Sequence, residues 1–250
     1  LAIMAGAEPF SHDGSDIGVL VCHGFTGTPQ GVRPVAEHLA DAGYTVRLPR
    51  LPGHGTTWRE MNRTTWQDWY ASVNASFLEL RERCAKVVVT GLSMGGCLAT
   101  RLAQQHGPRV SGLVLMNPAF KVEDFRLRAL PVLQHLLTSL PGIAGDIKKT
   151  GGPTELAYDR IPLRALHSQT QMWSTVVRDL PEVTQPVLLL RSAVDHVVPA
   201  SSSALFLSRI SSTDVTEIVL ADSYHVMTLD NDAPRVLAET SAFVERVTRG

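Results

Sequence analysis

The sequence predicts an α/β fold with a mostly parallel central sheet flanked by helices, and three observations predict it. Short apolar runs alternate with longer amphipathic stretches along most of the 250 residues. The runs are continuously apolar rather than alternating, as strands buried on both faces are. One of them, Val87-Val88-Val89-Thr90, enters Gly91-Leu92-Ser93-Met94-Gly95, a glycine-flanked serine where strand should turn into helix.

The elements follow in order. Residues 18–22 read as a buried strand, and 32–42 as a helix stopped by Gly43, a C′ glycine. Residues 44–48 form the next strand. Residues 65–83 form a long helix with Thr65 as N-cap and Asp68 near its positive end. Strand 86–90, helix 94–106 and strand 110–116 follow. Strands 186–191 and 216–220 and a terminal helix over 235–247 complete the pattern. Strands joined through helices imply parallel pairing, and such a sheet binds ligands beyond the carboxyl ends of its strands.

One interval breaks the alternation. Between residues 117 and 185 no strand is evident; Leu127, Leu130, Leu133, Leu136, Leu137 and Leu140 recur at helical spacing, among prolines and glycines. The expected organisation is therefore a core of residues 1–118 and 184–250, with 119–183 inserted as a helical cap.

Composition excludes several classes. Lysine and arginine number 23 against 24 acidic residues, so the basic surface that displaces phosphate counterions is missing and no nucleic acid is expected as partner. With 44% hydrophobic residues the chain can bury a core, and no apolar run reaches membrane-spanning length. Cys22, Cys84 and Cys97 cannot all pair and match no zinc spacing; they read as buried small hydrophobes in a reducing compartment. No basic segment followed by an apolar one opens the chain, so a cytoplasmic location is expected. No metal or cofactor is expected.

The chemistry starts at Ser93. The chain must reverse sharply there, and side chains at Gly91 and Gly95 would strike neighbouring backbone. The following helix aims its positive end at the turn, where negative charge would develop. A dinucleotide-binding reading fails because the second glycine of its fingerprint is Ser93 here, and no phosphate-loop lysine follows.

A serine hydroxyl needs a base to take its proton and an acid to hold that base. On this kind of sheet the order is serine, acid, histidine. His225 follows the last strand; His167 and His196 come too early, and His23 reads as a loop-shaping residue. Asp195 follows strand 186–191 directly. Asp222 stands only three residues before His225, and Asp230 and Asp232 come after it. The oxyanion of an attacked ester needs two N–H donors. Met94 supplies one, and Phe25, in His23-Gly24-Phe25-Thr26-Gly27-Thr28-Pro29, supplies the other. The loop 49–55 reads as structural, and Trp58, Trp66 and Trp69 read as packing residues.

At these residues the chain resembles the bacterial monoacylglycerol lipases and related carboxylesterases of the α/β-hydrolase superfamily. The likeness rests on the loop 23–29, the loop 50–55, Gly91-Leu92-Ser93-Met94-Gly95-Gly96, Asp195-His196-Val197-Val198-Pro199 and Ser223-Tyr224-His225. It implies an α/β-hydrolase fold, a catalytic triad of Ser93, Asp195 and His225, and an oxyanion hole at Phe25 and Met94. It also implies that Glu155, in Glu155-Leu156-Ala157-Tyr158, contacts glycerol hydroxyls and that Ile143 lies near an acyl tunnel. Glu155 has a competing reading as a helix-start carboxylate on a solvated face. The implied activity is ester hydrolysis, on monoacylglycerols or on short-chain esters without glycerol preference; the implied partner is a lipid ester, with transient lipid-surface contact through the cap. C–C bond hydrolysis is a further alternative, as is a ligand receptor on the same fold.

Overall fold

In the computed structural model, residues 2–142 and 144–249 are described. The core elements are β1 (Phe10–His12), β2 (Ile17–Cys22), α1 (Arg33–Asp41), β3 (Thr45–Leu48), α2 (Trp58–Met61), α3 (Trp66–Arg83), β4 (Lys86–Leu92), α4 (Met94–His106) and β5 (Gly112–Met116). After β5 come α5 (Leu130–Leu136), β6 (Ser139–Pro141), β7 (Arg160–Pro162) and α6 (Leu163–Arg178). The chain then returns through β8 (Val187–Ser192), α7 (Ala200–Leu207), β9 (Val215–Leu220) and α8 (Ala233–Thr248).

Seven strands form one sheet in the order β1-β3-β2-β4-β5-β8-β9, parallel throughout except for β1 at one edge. Successive residues of its central strands face opposite cores. Val87, Val89, Leu113, Leu115 and Leu189 pack on one side beneath α3, α4 and α6. Val88, Val114, Met116, Leu188 and Leu190 pack on the other beneath α1 and α8. Both faces are covered, which is why these strands are continuously apolar.

The chain runs outward from β2 to β3, then crosses back to β4 on the other side of β2. That reversal is a topological switch point, and it opens a crevice between the carboxyl ends of β2 and β4. Cys22 pairs with Gly91 in register, so the loop starting at His23 and the turn at Ser93 leave the sheet side by side.

Thr65 caps α3 as expected: its N–H donates to the Asp68 carboxylate at 2.8 Å. Gly43 holds φ at 89°, the left-handed value a C′ glycine supplies. Three differences from the sequence reading have physical causes. The half-exposed three-residue β1 is too short to leave a periodic signal. Residues 117–185 do contain strands, because β6 and β7 pair in a two-stranded ribbon. The leucines do not share one helix: α5 stops at Leu136, and Leu140 lies on the ribbon. The same interval contains α6, which is bound to the core. Ser168 Oγ accepts the Trp66 N–H at 2.8 Å, and Gln104 donates to the Val176 carbonyl at 2.9 Å.

Candidate active site

Ser93 lies between β4 and α4 with φ 57° and ψ −118°, a conformation an L-residue adopts only under constraint. The flanking glycines explain how it is tolerated. A Cβ on Gly91 would fall 2.2 Å from the Gly95 carbonyl carbon, and one on Gly95 would fall 2.1 Å from the Cys22 oxygen. Ser93 N–H donates to the Met116 carbonyl at 2.9 Å, and its own carbonyl accepts from Ala119 at 3.1 Å. The turn is thus bonded through its N–H to the end of β5 and through its carbonyl to the segment just beyond that strand.

Met94 is the first residue of α4, so its N–H has no acceptor within the helix. Phe25 N–H has no acceptor among the described residues. Its loop presses on the elbow: a Cβ on Gly24 would stand 3.4 Å from Ser93 Cβ. His23 shapes that loop from beneath. Its Nδ1–H donates to the Gly24 carbonyl at 3.0 Å, and its Nε2 accepts the Leu51 N–H at 3.1 Å. Burial holds its pKa down at about 4, so the ring is neutral and both bonds persist at neutral pH. His54, buried against it with ring centroids 5.1 Å apart, is held well below the usual histidine value by burial and by its neighbour.

His225 and Asp195 come from the loops after β9 and β8. His225 Nδ1 lies 2.8 Å from Asp195 Oδ2, and an ionised carboxylate can only accept, so Nδ1 carries the proton and Nε2 is left basic. The other Asp195 oxygen accepts the N–H groups of Val197 and Val198 at 2.8 and 2.7 Å. The competing acids are otherwise engaged. Asp222 is exposed and pairs with Lys148 at 2.7 Å. Asp232 accepts from Asp222 N–H and Ser223 Oγ at the start of α8. Asp230 is buried, and burial raises its pKa, but the N–H groups of Lys148, Tyr224, Asn231 and Lys149 outweigh this and hold it below the usual value.

A cavity of about 340 Å³ opens above the switch point, lined by Ser93, Phe25 and His225 and, from the segment between β5 and β8, by Leu127, Glu155 and Trp173. Glu155 is not at a helix start, and its side chain is half-buried rather than fully solvated. Its Oε2 accepts the Gly145 N–H at 3.0 Å, and Oε1 rests over Gly27. The segment around it is tied to the loop after β2. Leu156 N–H donates to Gln30 Oε1 at 2.9 Å, and Tyr158 N–H to the Thr26 carbonyl at 3.0 Å. The Tyr158 hydroxyl donates to the Gly53 carbonyl and accepts the Thr56 N–H, both at 2.8 Å, which gives the loop 49–55 the structural part expected of it. Ile143 lies outside the described residues. Trp69 is fully buried with its indole N–H on Thr64, a packing residue as expected.

Four residues at the site escaped the sequence reading. Gln169 and Trp173, one turn apart on α6, line the cavity, and Gln169 Oε1 and Trp173 Nε1 have no hydrogen-bond partner among the described residues. Asp146 and Asn117 bond to the His225 peptide from two directions. Asn117 had a signal: it ends a strand at the carboxyl edge of the sheet, directly before a proline. Asp146 had none. The three cysteines are all buried, and burial pushes the thiols of Cys22 and Cys97 far above the ordinary value, so neither supplies a nucleophile.

This architecture has close counterparts. A solved structure from work on LipS and LipT, two metagenome-derived lipolytic enzymes, superposes with a TM-score of 0.95 at 43% identity, covering 98% of this chain and 100% of that one. The thermostable monoacylglycerol lipase of Bacillus sp. (strain H-257) is 40% identical over 96% of this chain and 95% of its own length. The carboxylesterase of Bacillus subtilis (strain 168) is 25% identical over 96% of this chain and 97% of its own length. The fold is the α/β-hydrolase fold. Residues 15–232 match the model of the family described as serine aminopeptidase, S33, and the chain belongs to that family of serine hydrolases.

Proposed function

We propose that this chain hydrolyses monoacylglycerols to glycerol and fatty acid through an acyl-enzyme on Ser93. The observation that carries the reading is Glu155: its carboxylate stands on the wall of the cavity that Ser93 and His225 also line, against the loop bearing Phe25. A carboxylate there accepts hydrogen bonds from the two free hydroxyls of a monoacylglycerol and has nothing to accept from a methyl ester. The 40% identity to a monoacylglycerol lipase supports the same substrate class.

In this reading, Ser93 Oγ attacks the ester carbonyl carbon while its proton passes to His225 Nε2. The N–H groups of Phe25 and Met94 bind the resulting oxyanion; each such donor is worth about 10²–10³ in rate. The imidazolium, held by Asp195 at Nδ1, protonates the departing glycerol oxygen as its bond to the acyl carbon breaks. Water then attacks the acyl-enzyme, giving its proton to His225, and the fatty acid leaves as the Ser93–acyl bond breaks and Oγ recovers the proton.

Residues 119–183 act as a cap over this site, with Leu127, Ile161, Leu166 and Trp173 forming an apolar path for one acyl chain. The outer side of the cap exposes Phe125, Val132 and Leu136 at 82, 65 and 73%. That face is read as the one that meets lipid aggregates, and Leu136→Ser should weaken cosedimentation with phosphatidylcholine vesicles.

The test of the reaction is fatty-acid release from a series of monoacylglycerols, run beside a triacylglycerol and with Ser93→Ala. Monoacylglycerol turnover that disappears in the variant is expected. Turnover that persists in Ser93→Ala, or none in the unaltered protein, would overturn the reading.

A further inference from the structure

We propose that Asp146, on the inserted segment, is a positioning residue for the catalytic histidine, so that the insertion completes the triad as well as covering it. The inference rests on the reading of His225 as the base, though not on the identity of the ester.

The geometry points to it from several sides. Asp146 Oδ2 accepts the N–H of His225 at 3.2 Å and that of His196 at 3.1 Å. Its Oδ1 accepts the His196 Nδ1–H at 2.8 Å. Its backbone carbonyl accepts the Val226 N–H at 3.1 Å. One carboxylate therefore joins the peptide of the base to the residue that follows the acid, and both loops to the insertion. The side chain is only 10% exposed, so water does not readily replace it.

The carbonyl side of the same histidine is held separately, by Asn117 Nδ2 donating to the His225 oxygen at 2.9 Å. Asp195 fixes the ring, Asn117 the carbonyl and Asp146 the N–H. A ring bond alone leaves the loop free to swing about its own peptides, whereas bonds to both peptide groups remove that freedom. A second attachment reinforces the strap: Lys148 and Lys149 N–H donate to Asp230 at 2.7 and 2.9 Å, and Tyr224 N–H donates to the same carboxylate at 2.9 Å. Asp146 itself contacts no triad side chain among the described hydrogen bonds, so its effect on the reaction passes through the placement of His225.

The test compares Asp146→Ala and Asp146→Asn on two substrates, a monoacylglycerol and 4-nitrophenyl butanoate, which lacks glycerol. An asparagine oxygen can still accept both N–H groups; alanine can accept neither. Alanine should lower kcat about 30- to 100-fold on both esters with KM within about threefold, the scale that a misplaced catalytic group produces. Asparagine should restore kcat to within about fivefold of the unaltered protein. Should the alanine variant not fold, as thermal unfolding would reveal, Asp146→Ser shortens the side chain and carries the same comparison. Near-unaltered kcat on the nitrophenyl ester, a loss confined to KM or to the monoacylglycerol, or an equal loss in the asparagine variant would each overturn the proposal. If the unaltered protein turned over only the nitrophenyl ester, the substrate reading would fail while the positioning of His225 was still measured.

Discussion

The Glu155 carboxylate rests on Gly27: a Cβ at that glycine would stand 3.1 Å from Glu155 Oε1, closer than side chains normally approach. The residue read as gripping glycerol and the loop read as binding the oxyanion are therefore packed against each other. Gly27→Ala should push the carboxylate aside by a few tenths of an ångström. The expected outcome is a rise in KM for monoacylglycerols of about three- to tenfold, with methyl esters less affected, since a single imperfect hydrogen bond costs about 1 kcal/mol. Parallel kinetics on the two ester types check this.

Stability should depend on pH through the buried His23. Its pKa is about 4 when folded, against an ordinary value near 6.5, so between those limits the unfolded chain binds the extra proton. Stability then rises with pH up to about 6.5 and is lost on acidification, by about 2 kcal/mol between pH 6.5 and 5. His54 acts in the same direction. Asp230, held below its usual value, gives up its contribution only at lower pH, so this window isolates the histidines. Urea unfolding at pH 7 and 5 is the measurement, and His23→Asn should reduce the difference to the part that His54 contributes.

Asn117 carries a third prediction. It adopts φ 39°, accepts the Ser192 N–H at 2.8 Å and donates to the His225 carbonyl at 2.9 Å. Asn117→Gly keeps the backbone conformation and abandons these partners inside the protein, costing about 2–4 kcal/mol. Asn117→Ala should cost about 1 kcal/mol more, because alanine resists the left-handed region. Thermal unfolding of the two variants separates the terms, and both should lower kcat.

These residues also mark what the sequence could reveal. The turn at Ser93 was legible because it needs glycine at 91 and 95 for steric reasons that hold in any context. The pairing of Asp195 with His225 was legible from chain order and strand ends, and the capped start of α3 from local spacing. The sequence pointed to Glu155 only by resemblance, and its place beside Gly27 left no trace there. Asp146 is a lone acid whose partners lie 50 and 79 residues away, and Asn117 reaches 108 residues to the His225 carbonyl. Such contacts leave no periodicity. The leucines between β5 and β8 misled for a related reason: apolar residues facing solvent or the site cavity imitate a core stripe, and the ribbon of β6 and β7 is too short to interrupt it.

Glycerol recognition by Glu155 is the central claim, and one ratio tests it most directly: kcat/KM for a monoacylglycerol over kcat/KM for the methyl ester of the same acid, measured in the unaltered protein and in Glu155→Ala. The unaltered protein should favour the monoacylglycerol by about tenfold or more, and the variant should bring the ratio near one while keeping methyl ester turnover, since removing a charged hydrogen-bond acceptor costs about 1.5–3 kcal/mol. A ratio near one in the unaltered protein, or a preference that survives in Glu155→Ala, would contradict it.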